Sequence, residues 1–190
     1  MEPRNHFFYA VKIPDETKVI MKDRIEKIKG RIPFSRWVHH QDLHITLAFL
    51  GGAGSEKLVE TEKLVREAVK NEKAFPLKIN KLGIFGNPET PRIFWADTED
   101  SSDLKELRNK VFSACEKAGF QLETRPFRPH ITLARKWVGE QAFQKELLAL
   151  WDELQSNPIP FQARDVVLYQ THLQRTPKYE AITLFPLEYH

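Results

Sequence analysis

The sequence predicts an α+β fold built on largely antiparallel sheets. Strand-like and helix-like segments alternate along the 190 residues, and Gly86-Asn87-Pro88 between two strand-like segments indicates a tight hairpin. A pentapeptide also occurs twice, as His44-Ile45-Thr46-Leu47-Ala48 and again as residues 130–134. Hairpins favour antiparallel sheets over a doubly wound parallel sheet. Because no low-complexity linker divides the chain, we expect one domain over residues 1–190.

The first half of the chain predicts two strands, each followed by a helix. Residues 6–13 are aromatic and β-branched and predict a buried strand. Pro14-Asp15 opens a helix that Gly30 closes, and the first copy of the pentapeptide forms the next strand. Ser55 is then expected to cap a second helix. The apolar stripes predicted for the two helices are Val19, Ile20, Ile25 and Ile28 in the first, and Leu58, Val65, Ala68 and Val69 in the second.

The second half predicts a hairpin, two helices and three strands. Residues 75–86 and 91–98 form the hairpin, and a helix runs from about Ser102 to Ala118 before Gly119. The second copy of the pentapeptide follows. A fourth helix is expected over about 140–155, and closing strands over roughly 160–170 and 178–187. The apolar faces of these helices are Leu104, Leu107, Val111, Cys115 and Ala118, then Phe143, Leu147, Leu150, Trp151 and Leu154.

Each copy of the pentapeptide predicts a half-buried strand that presents a histidine and a threonine. Alternation along a strand places His44 and Thr46 on one face, and His130 and Thr132 on the matching face of the second copy. Arg128 shares the face of His130, whereas alternation puts Arg135 on the opposite face, as a surface charge. The opposite faces are apolar and carry Leu43, Ile45, Leu47 and Phe49 in the first copy, and Phe127, Ile131 and Leu133 in the second.

Two histidines and two threonines around one cleft suit displacement at phosphorus. Imidazole titrates nearest neutrality, so one ring can accept a proton from water while the other donates one to a leaving oxygen. Threonine hydroxyls about 6–7 Å along each strand can donate to the phosphoryl oxygens. Arg128 adds a permanent charge to such an anion site. The first copy has Asp42 at the matching position, so the two motifs differ in charge.

Structural roles compete with these functional interpretations. A single His-x-Thr-Leu tetrapeptide occurs often by chance, and the functional interpretation depends on the matched pair. His39, His40 and His44 resemble a metal cluster on paper, but a strand separates His40 from His44 by about 13 Å. We therefore expect no metal and no cofactor. Cys115 lies in a helical core stripe, where burial is its expected role. The same logic assigns to the core Trp37, Phe94, Trp95 and Trp151.

Composition excludes several classes of protein. The 29 basic and 26 acidic side chains nearly balance, which tolerates an anionic substrate without predicting one. The single cysteine excludes an internal disulfide and fits a reducing compartment. No stretch resembles a signal peptide or a membrane span, so we expect a cytoplasmic protein that does not bind membranes. The sequence lacks a Gly-rich phosphate loop and a Gly-x-Ser-x-Gly elbow, which argues against nucleotide-triphosphate enzymes and serine hydrolases.

The paired motifs and their surroundings resemble the 2H phosphoesterases. The similarity is greatest to the bacterial and archaeal RNA 2′,3′-cyclic phosphodiesterases, also described as 2′-5′ RNA ligases. It covers nearly the whole chain and differs most around Thr171-His172. The segments that carry it are Phe8-Tyr9-Ala10, Trp37-Val38, residues 43–51, residues 91–95 and residues 125–135. The resemblance implies a bilobal fold with pseudo-two-fold symmetry, in which each lobe contributes one motif to a central cleft.

The resemblance also implies a reaction and roles for the residues. It implies metal-independent hydrolysis of an RNA 2′,3′-cyclic phosphate to a 2′-phosphate, with RNA ends or cyclic nucleotides as substrates. His44 then protonates the departing 3′ oxygen and His130 activates water. Thr46 and Thr132 hold the phosphate. Two alternatives stay open at this point: 2′-5′ ligation of RNA ends at the same site, and a non-catalytic module that binds RNA ends. No obligate protein partner is inferred.

Overall fold

The computed structural model describes residues 5–154 and 157–189, and within them the chain forms nine strands and four α-helices. The strands are β1 (His6–Lys12), β2 (Phe34–Trp37), β3 (His44–Gly52), β4 (Phe75–Gly86), β5 (Pro91–Thr98), β6 (His130–Trp137), β7 (Ile159–Ala163), β8 (Asp165–Thr171) and β9 (Tyr179–Pro186). The helices are α1 (Asp15–Lys29), α2 (Ser55–Val69), α3 (Ser102–Lys117) and α4 (Leu150–Leu154). Short 3₁₀ turns precede β3 and α4, at His40–Asp42 and Lys145–Ala149.

The strands form two sheets, and each sheet contains one copy of the pentapeptide. The first sheet has the order β3-β1-β8-β9 and the second the order β2-β6-β5-β4-β7, with antiparallel pairing between neighbours. The two halves of the chain repeat one order of elements, strand-helix-strand-helix. In the first half this order is β1-α1-β3-α2, with β3 paired to β1, and in the second half it is β5-α3-β6-α4, with β6 paired to β5. The predicted α+β fold with two antiparallel sheets is confirmed.

Both sheets contribute to one continuous hydrophobic core. It includes Tyr9 and Ile45 from the first sheet and Phe94 and Ile131 from the second, all fully buried. Helix α3 packs against both β3 and α2. In the described part of the chain, no helix is long and apolar enough to cross a membrane.

The predicted hairpin and third helix are confirmed. Strands β4 and β5 pair across the turn that follows Gly86, with Ile84 opposite Phe94. The Ser101 side chain caps α3 by accepting a hydrogen bond from the Leu104 amide (3.1 Å). Gly119 follows this helix with a φ of +94°, a conformation that glycine adopts without a steric penalty.

The predicted apolar stripe of α1 is wrong in part. Val19 and Ile20 are 50% and 45% exposed, whereas Ile25 and Ile28 are buried as expected. The buried face also contains polar side chains, and it follows a helical spacing that leaves Val19 and Ile20 on the solvent side. The buried residues of α1 are Thr17, Lys18, Met21, Arg24, Ile25 and Ile28.

The fourth helix is much shorter than predicted. It covers Leu150–Leu154, preceded by a 3₁₀ turn, whereas residues 140–144 are irregular and Gln155 lies outside the described residues. Tertiary hydrogen bonds explain the difference. The Phe143 amide donates to the Glu89 carbonyl (2.8 Å) and the Trp137 indole donates to the Gln141 carbonyl (3.0 Å). These bonds connect the segment to the turn of the hairpin and to β6, so its backbone does not close into a helix.

Two other boundaries differ from the prediction. The expected strand over 160–170 is two strands, because the chain leaves the second sheet after β7, which pairs with β4, and enters the first as β8, which pairs with β1. Strand β2, at the edge of the second sheet, was not predicted. Helix α2 begins at Ser55, but its N-cap is Gly54, so Ser55 does not cap it as expected.

Both pentapeptide strands contain a β-bulge at the Leu-Ala pair. On β1, Tyr9 lies opposite Ala48 and Ala10 opposite Thr46, so Leu47 has no partner. Leu133 is skipped in the same way between β5 and β6. In each strand the Leu and Ala are both buried, and the next residue moves to the cleft side. The predicted faces of Phe49 and Arg135 are therefore wrong: Phe49 is 55% exposed and Arg135 shares the face of His130.

Candidate active site

His44 and His130 occupy matching positions, as the first residues of β3 and β6. These two strands contact each other although they belong to different sheets. Both imidazoles are half-buried, and the charge of one affects the pKa of the other. The fold thus brings the two predicted histidines to one place.

A backbone carbonyl orients each imidazole. His44 Nδ1 donates to the Asp42 carbonyl and His130 Nδ1 to the Arg128 carbonyl, each over 2.7 Å. A carbonyl oxygen only accepts, so Nδ1 carries the proton in both rings. The Nε2 atom of each ring is then the nitrogen that can exchange a proton in the cleft. This repeated bond to the carbonyl two residues earlier is the closest match between the two motifs.

The threonines lie beside the histidines but make different contacts. Thr46 Oγ1 lies 3.0 Å from His44 Nε2, and it donates to that nitrogen when the ring is neutral. For His130 Nε2, the described residues supply no hydrogen-bond partner. Thr132 is half-buried, two residues along β6. The predicted pairs thus share their faces, and only the first is hydrogen-bonded.

Aromatic side chains surround both histidines. The His44 ring lies 4.8 Å from Phe8, 5.2 Å from Tyr179 and 6.0 Å from Tyr169 between ring centroids. His130 lies 4.9 Å from Phe85 and 6.3 Å from Trp95. These rings remove water from around the imidazoles and so disfavour their charged forms.

Both histidines have a pKa below the ordinary value. Burial lowers the pKa of His44 to about 4. The hydrogen bond to the Asp42 carbonyl raises this pKa, whereas the positive charges of His130, Lys18 and Arg135 lower it further. Burial also lowers the pKa of His130, with a smaller contribution from Arg135 in the same direction. Both rings are therefore mainly neutral at pH 7. An anion bound between them stabilises the protonated forms.

A group of cations makes the cleft suitable for an anion. The charge of Arg135 affects the pKa of His44, His130, Lys178 and Tyr179, so its guanidinium lies near all four. The pKa of Lys178 is lowered, first by burial and then by Arg135. The Lys18 ammonium donates to the Gln41 carbonyl (2.9 Å) just before the first motif.

Asp42 holds two distant segments of the site together. Its buried carboxylate accepts the backbone amides of Lys178 (3.0 Å) and Tyr179 (3.1 Å). Its carbonyl holds His44. Asp42 therefore connects the turn before β3 to the start of β9, and the carboxylate points to backbone amides instead of the His44 ring.

A cavity of about 850 Å³ opens beside His130 and Thr46. Thr46, Arg128 and His130 line it, together with the second half of β3, the hairpin and residues 121–127. The Arg128 side chain is exposed here, in the segment before β6, while its carbonyl orients His130.

Several residues of the site were missed by sequence reasoning. Tyr179 and Lys178 come from a distant part of the chain, and no local pattern marked them. Arg135 was misplaced, although two consecutive apolar residues in an alternating strand are a recognisable sign of a bulge. Cys115 is buried, as expected, and burial raises its pKa to about 12. Among the described residues, no three His, Cys, Asp or Glu side chains are grouped as metal ligands, and His39 Nδ1 accepts the Gln41 amide instead.

Comparisons with known proteins identify relatives of this chain. An RNA 2′,3′-cyclic phosphodiesterase of Geobacillus stearothermophilus is 41% identical over 184 residues, which cover 97% of this chain and 58% of that protein. This chain thus spans little more than half the length of that relative. An RNA 2′,3′-cyclic phosphodiesterase of Bacillus subtilis (strain 168) is 35% identical over 186 residues, which cover 97% of each chain.

The fold is also that of a solved structure. The crystal structure of E. coli LigT complexed with 3′-AMP is similar with a TM-score of 0.76 at 23% identity, over 98% of this chain and 100% of the other. A family model described as the 2′-5′ RNA ligase superfamily matches residues 17–175. The resemblance seen in the motifs is confirmed, and the chain belongs to the 2′-5′ RNA ligase superfamily.

Proposed function

We propose that this chain hydrolyses 2′,3′-cyclic phosphates at RNA ends to 2′-phosphomonoesters, with His44 and His130 as its acid and base. One observation carries the proposal: two imidazoles from different sheets lie close enough for the charge of one to act on the pKa of the other, and a carbonyl holds Nδ1 of each ring, which leaves Nε2 for proton transfer. The names of the similar proteins of Geobacillus and Bacillus support the same activity.

The reaction needs a base and an acid on opposite sides of the phosphorus atom. Water attacks phosphorus and gives its proton to His130 Nε2. The bond from phosphorus to the 3′ oxygen breaks, and this oxygen takes a proton from His44 Nε2. The 2′ oxygen keeps the phosphate. Each positioned proton transfer contributes on the order of 10²–10⁴ in rate.

Hydroxyl and guanidinium groups support the charge that develops on the phosphate. We propose that Thr46 and Thr132 donate to its non-bridging oxygens, with Arg128 at the cavity and Arg135 on the cleft face of β6 as cations. Arg135 joins this set because the bulge at Leu133 turns it to the cleft.

The assignment of acid and base follows the family resemblance. Of the two histidines, His44 has the more strongly lowered pKa. A single proton shared by the two rings therefore binds preferentially to His130. The role of His44 as donor therefore requires the bound phosphate to raise its pKa, as an adjacent negative charge does.

Alanine variants of the histidines test the proposal. We expect His44→Ala and His130→Ala each to lower kcat on a 2′,3′-cyclic nucleotide by about 10²–10⁴-fold, measured by release of the 2′-phosphate and its position by NMR. His6→Ala, an exposed histidine outside both motifs, is the matched control. A chelator is expected to leave the wild-type rate unchanged. Near-wild-type turnover in both motif variants, with native thermal unfolding curves, contradicts the proposal.

Ligation at the same site is the second candidate, because the family description includes it. Hydrolysis and ligation can share the site because a 5′ hydroxyl can replace water as the nucleophile that attacks phosphorus, and bulk water favours hydrolysis. Incubating an RNA that ends in a cyclic phosphate with one that begins with a 5′ hydroxyl separates the two products. Tight, salt-dependent binding without either product indicates the non-catalytic module. We place the activity in the cytoplasm, a proposal supported by the one free, buried thiol.

A further inference from the structure

The cavity extends well past the histidines. Its lining continues from Thr46 and His130 to a second group of residues on the end of β3, on β5, on α3 and on the segment before β6. We call this part the outer arm and define it by Phe49, Arg92, Arg108, Phe112, Glu123 and Arg125. The whole cavity, at about 850 Å³, lies near the upper end of the usual range for small-molecule sites, about 300–1,000 Å³. It therefore has room for more than a cyclic phosphate.

Aromatic rings are available on the wall of the outer arm. Phe49 is 55% exposed, because the bulge at Leu47 turns it out of the core and into the lining of the cavity. Phe112 is half-buried on α3, in the same lining. Exposed aromatic faces beside a cationic groove are the usual platform for unpaired bases.

Arg108 is the best-positioned cation of the outer arm. Its guanidinium lies 4.0 Å from the centre of the Phe112 ring and 5.3 Å from that of Phe127. It donates one hydrogen bond to Asn109 (3.3 Å), while its buried Nε lacks a hydrogen-bond partner among the described residues. Among the described residues no carboxylate forms a salt bridge with it, although the charge of Glu116, on the same helix, acts on its pKa. Two rings thus hold a guanidinium in place while its charge is left unpaired, as an anion-binding site requires.

The balance of charge along the outer arm also favours an anionic chain. Arg92, Arg108 and Arg125 line it, against one carboxylate, Glu123, which is paired with Arg125. Cationic and aromatic side chains in one lining fit a chain that repeats phosphates and bases. A peptide or a single small anion would use only part of them.

We propose that the outer arm binds the nucleotides on the 5′ side of the cyclic phosphate, with Arg108 on a backbone phosphate and Phe49 stacked on a base. This inference rests on the proposed function, which places the cyclic phosphate between His44 and His130. A 2′,3′-cyclic phosphate ends an RNA chain, so every further nucleotide lies on its 5′ side. The preferred substrate is therefore an oligoribonucleotide end, and a cyclic mononucleotide leaves the outer arm empty.

Steady-state kinetics on two substrates test this inference. The substrates are a 2′,3′-cyclic mononucleotide and a trinucleotide with the same terminal nucleotide. We expect the wild type to have at least about tenfold higher kcat/KM on the trinucleotide, the size of effect that one stacked base gives. Arg108→Gln and Phe49→Ala should each remove about tenfold from the trinucleotide value and leave the mononucleotide value within about twofold. Arg164→Gln is the matched control, an arginine over the Tyr189 ring at 4.7 Å, outside the cavity lining.

Equilibrium binding separates this inference from the proposed function. A fluorescent trinucleotide with a 2′-phosphate end is titrated against the wild type and Arg108→Gln at several salt concentrations. Loss of one phosphate contact should reduce the slope of log K against log salt by about 0.7. Turnover of neither substrate by the wild type contradicts the proposed function, whereas the binding difference still tests the outer arm. Equal binding and equal kcat/KM for the two substrates, or equal losses on both in the variants, overturn the inference.

Discussion

The backbone decides which ring nitrogen of each motif histidine is available for proton transfer. Donation from Nδ1 to a carbonyl two residues earlier fixes the neutral tautomer of His44 and His130 and presents Nε2. The acceptor is a backbone carbonyl, so the bond forms whether the residue that supplies it is Asp42 or Arg128. This explains how two motifs with opposite charges at that position give the same imidazole geometry.

The lowered pKa values predict an acidic optimum. Catalysis by the pair needs one proton on the two rings, and both pKa values lie below the ordinary 6.5. As pH rises through these values the proton is lost, so kcat/KM should be highest below pH 6.5 and fall toward pH 8. A pH–rate profile at constant ionic strength measures this. A flat profile from pH 6 to 8 contradicts the shared-proton mechanism.

Arg135 gives a second prediction at the residue scale. Arg135→Gln removes a cation from the proposed phosphate site and should lower kcat/KM about 10- to 100-fold, the range for a charge-assisted hydrogen bond. Arg135 also lowers the pKa of both histidines, so its loss should move the descending limb of the profile to higher pH. Lys136→Gln, the exposed neighbour, is the control. An unchanged profile and rate place Arg135 outside the site.

The β-bulge is the feature of secondary structure on which the site depends most. An unpaired leucine within each pentapeptide, Leu47 or Leu133, shifts the side-chain alternation of the residue pair that follows it. As a result the strand buries two consecutive residues and then returns a side chain to the cleft. Phe49 reaches the cavity in this way in β3, and Arg135 reaches the cleft in β6.

Close packing between β4 and β5 gives a prediction at this scale. A Cβ on Gly83 would lie 2.2 Å from the Trp95 ring, and Trp95 lies beside His130. Gly83→Ala should therefore displace the indole, reduce the free energy of unfolding by about 1–3 kcal/mol and lower kcat. Urea unfolding and steady-state kinetics measure the two effects. Gly30→Ala, where a Cβ meets nothing within 4 Å, is the control and should change neither the stability nor kcat. Wild-type stability and kcat of Gly83→Ala would contradict the prediction.

At the scale of the whole molecule, the site depends on two sheets holding their relative positions. His44 belongs to one sheet and His130 to the other, and the core beneath them is continuous. Side chains such as Tyr9 and Phe94 are members of the same buried cluster. We propose on this basis that the chain folds as one cooperative unit.

Denaturant unfolding tests this proposal. Loss of enzymatic activity, of far-UV circular dichroism and of tryptophan fluorescence should coincide in a single transition, because neither sheet can lose its part of the core alone. Two separated transitions, with activity lost in the first, would show that the sheets unfold independently.

Local patterns predicted the elements well where backbone and side-chain preferences agreed. The helix over α3 follows from its apolar spacing and from Gly119 at its end, and the β4–β5 hairpin from Gly86-Asn87-Pro88. Prediction failed where distant groups took over the backbone. The pattern of the segment before α4 predicts a helix, but the Phe143 amide donates to the Glu89 carbonyl and is not available for a helical hydrogen bond. The pattern of residues 160–170 predicts one strand, but its first part pairs with β4 in one sheet and its second part with β1 in the other.

By itself, the sequence determined the α+β class, the two matching motifs and the histidines and threonines they present, because alternation and turn preferences are local properties of the chain. Only the tertiary structure decided that the two motif strands contact each other, that Arg135 lies near both histidines and Phe49 in the cavity lining, and that Asp42 holds the backbone amides of Lys178 and Tyr179. Those facts depend on strand register and on contacts between residues far apart in the chain, which no short stretch of sequence encodes.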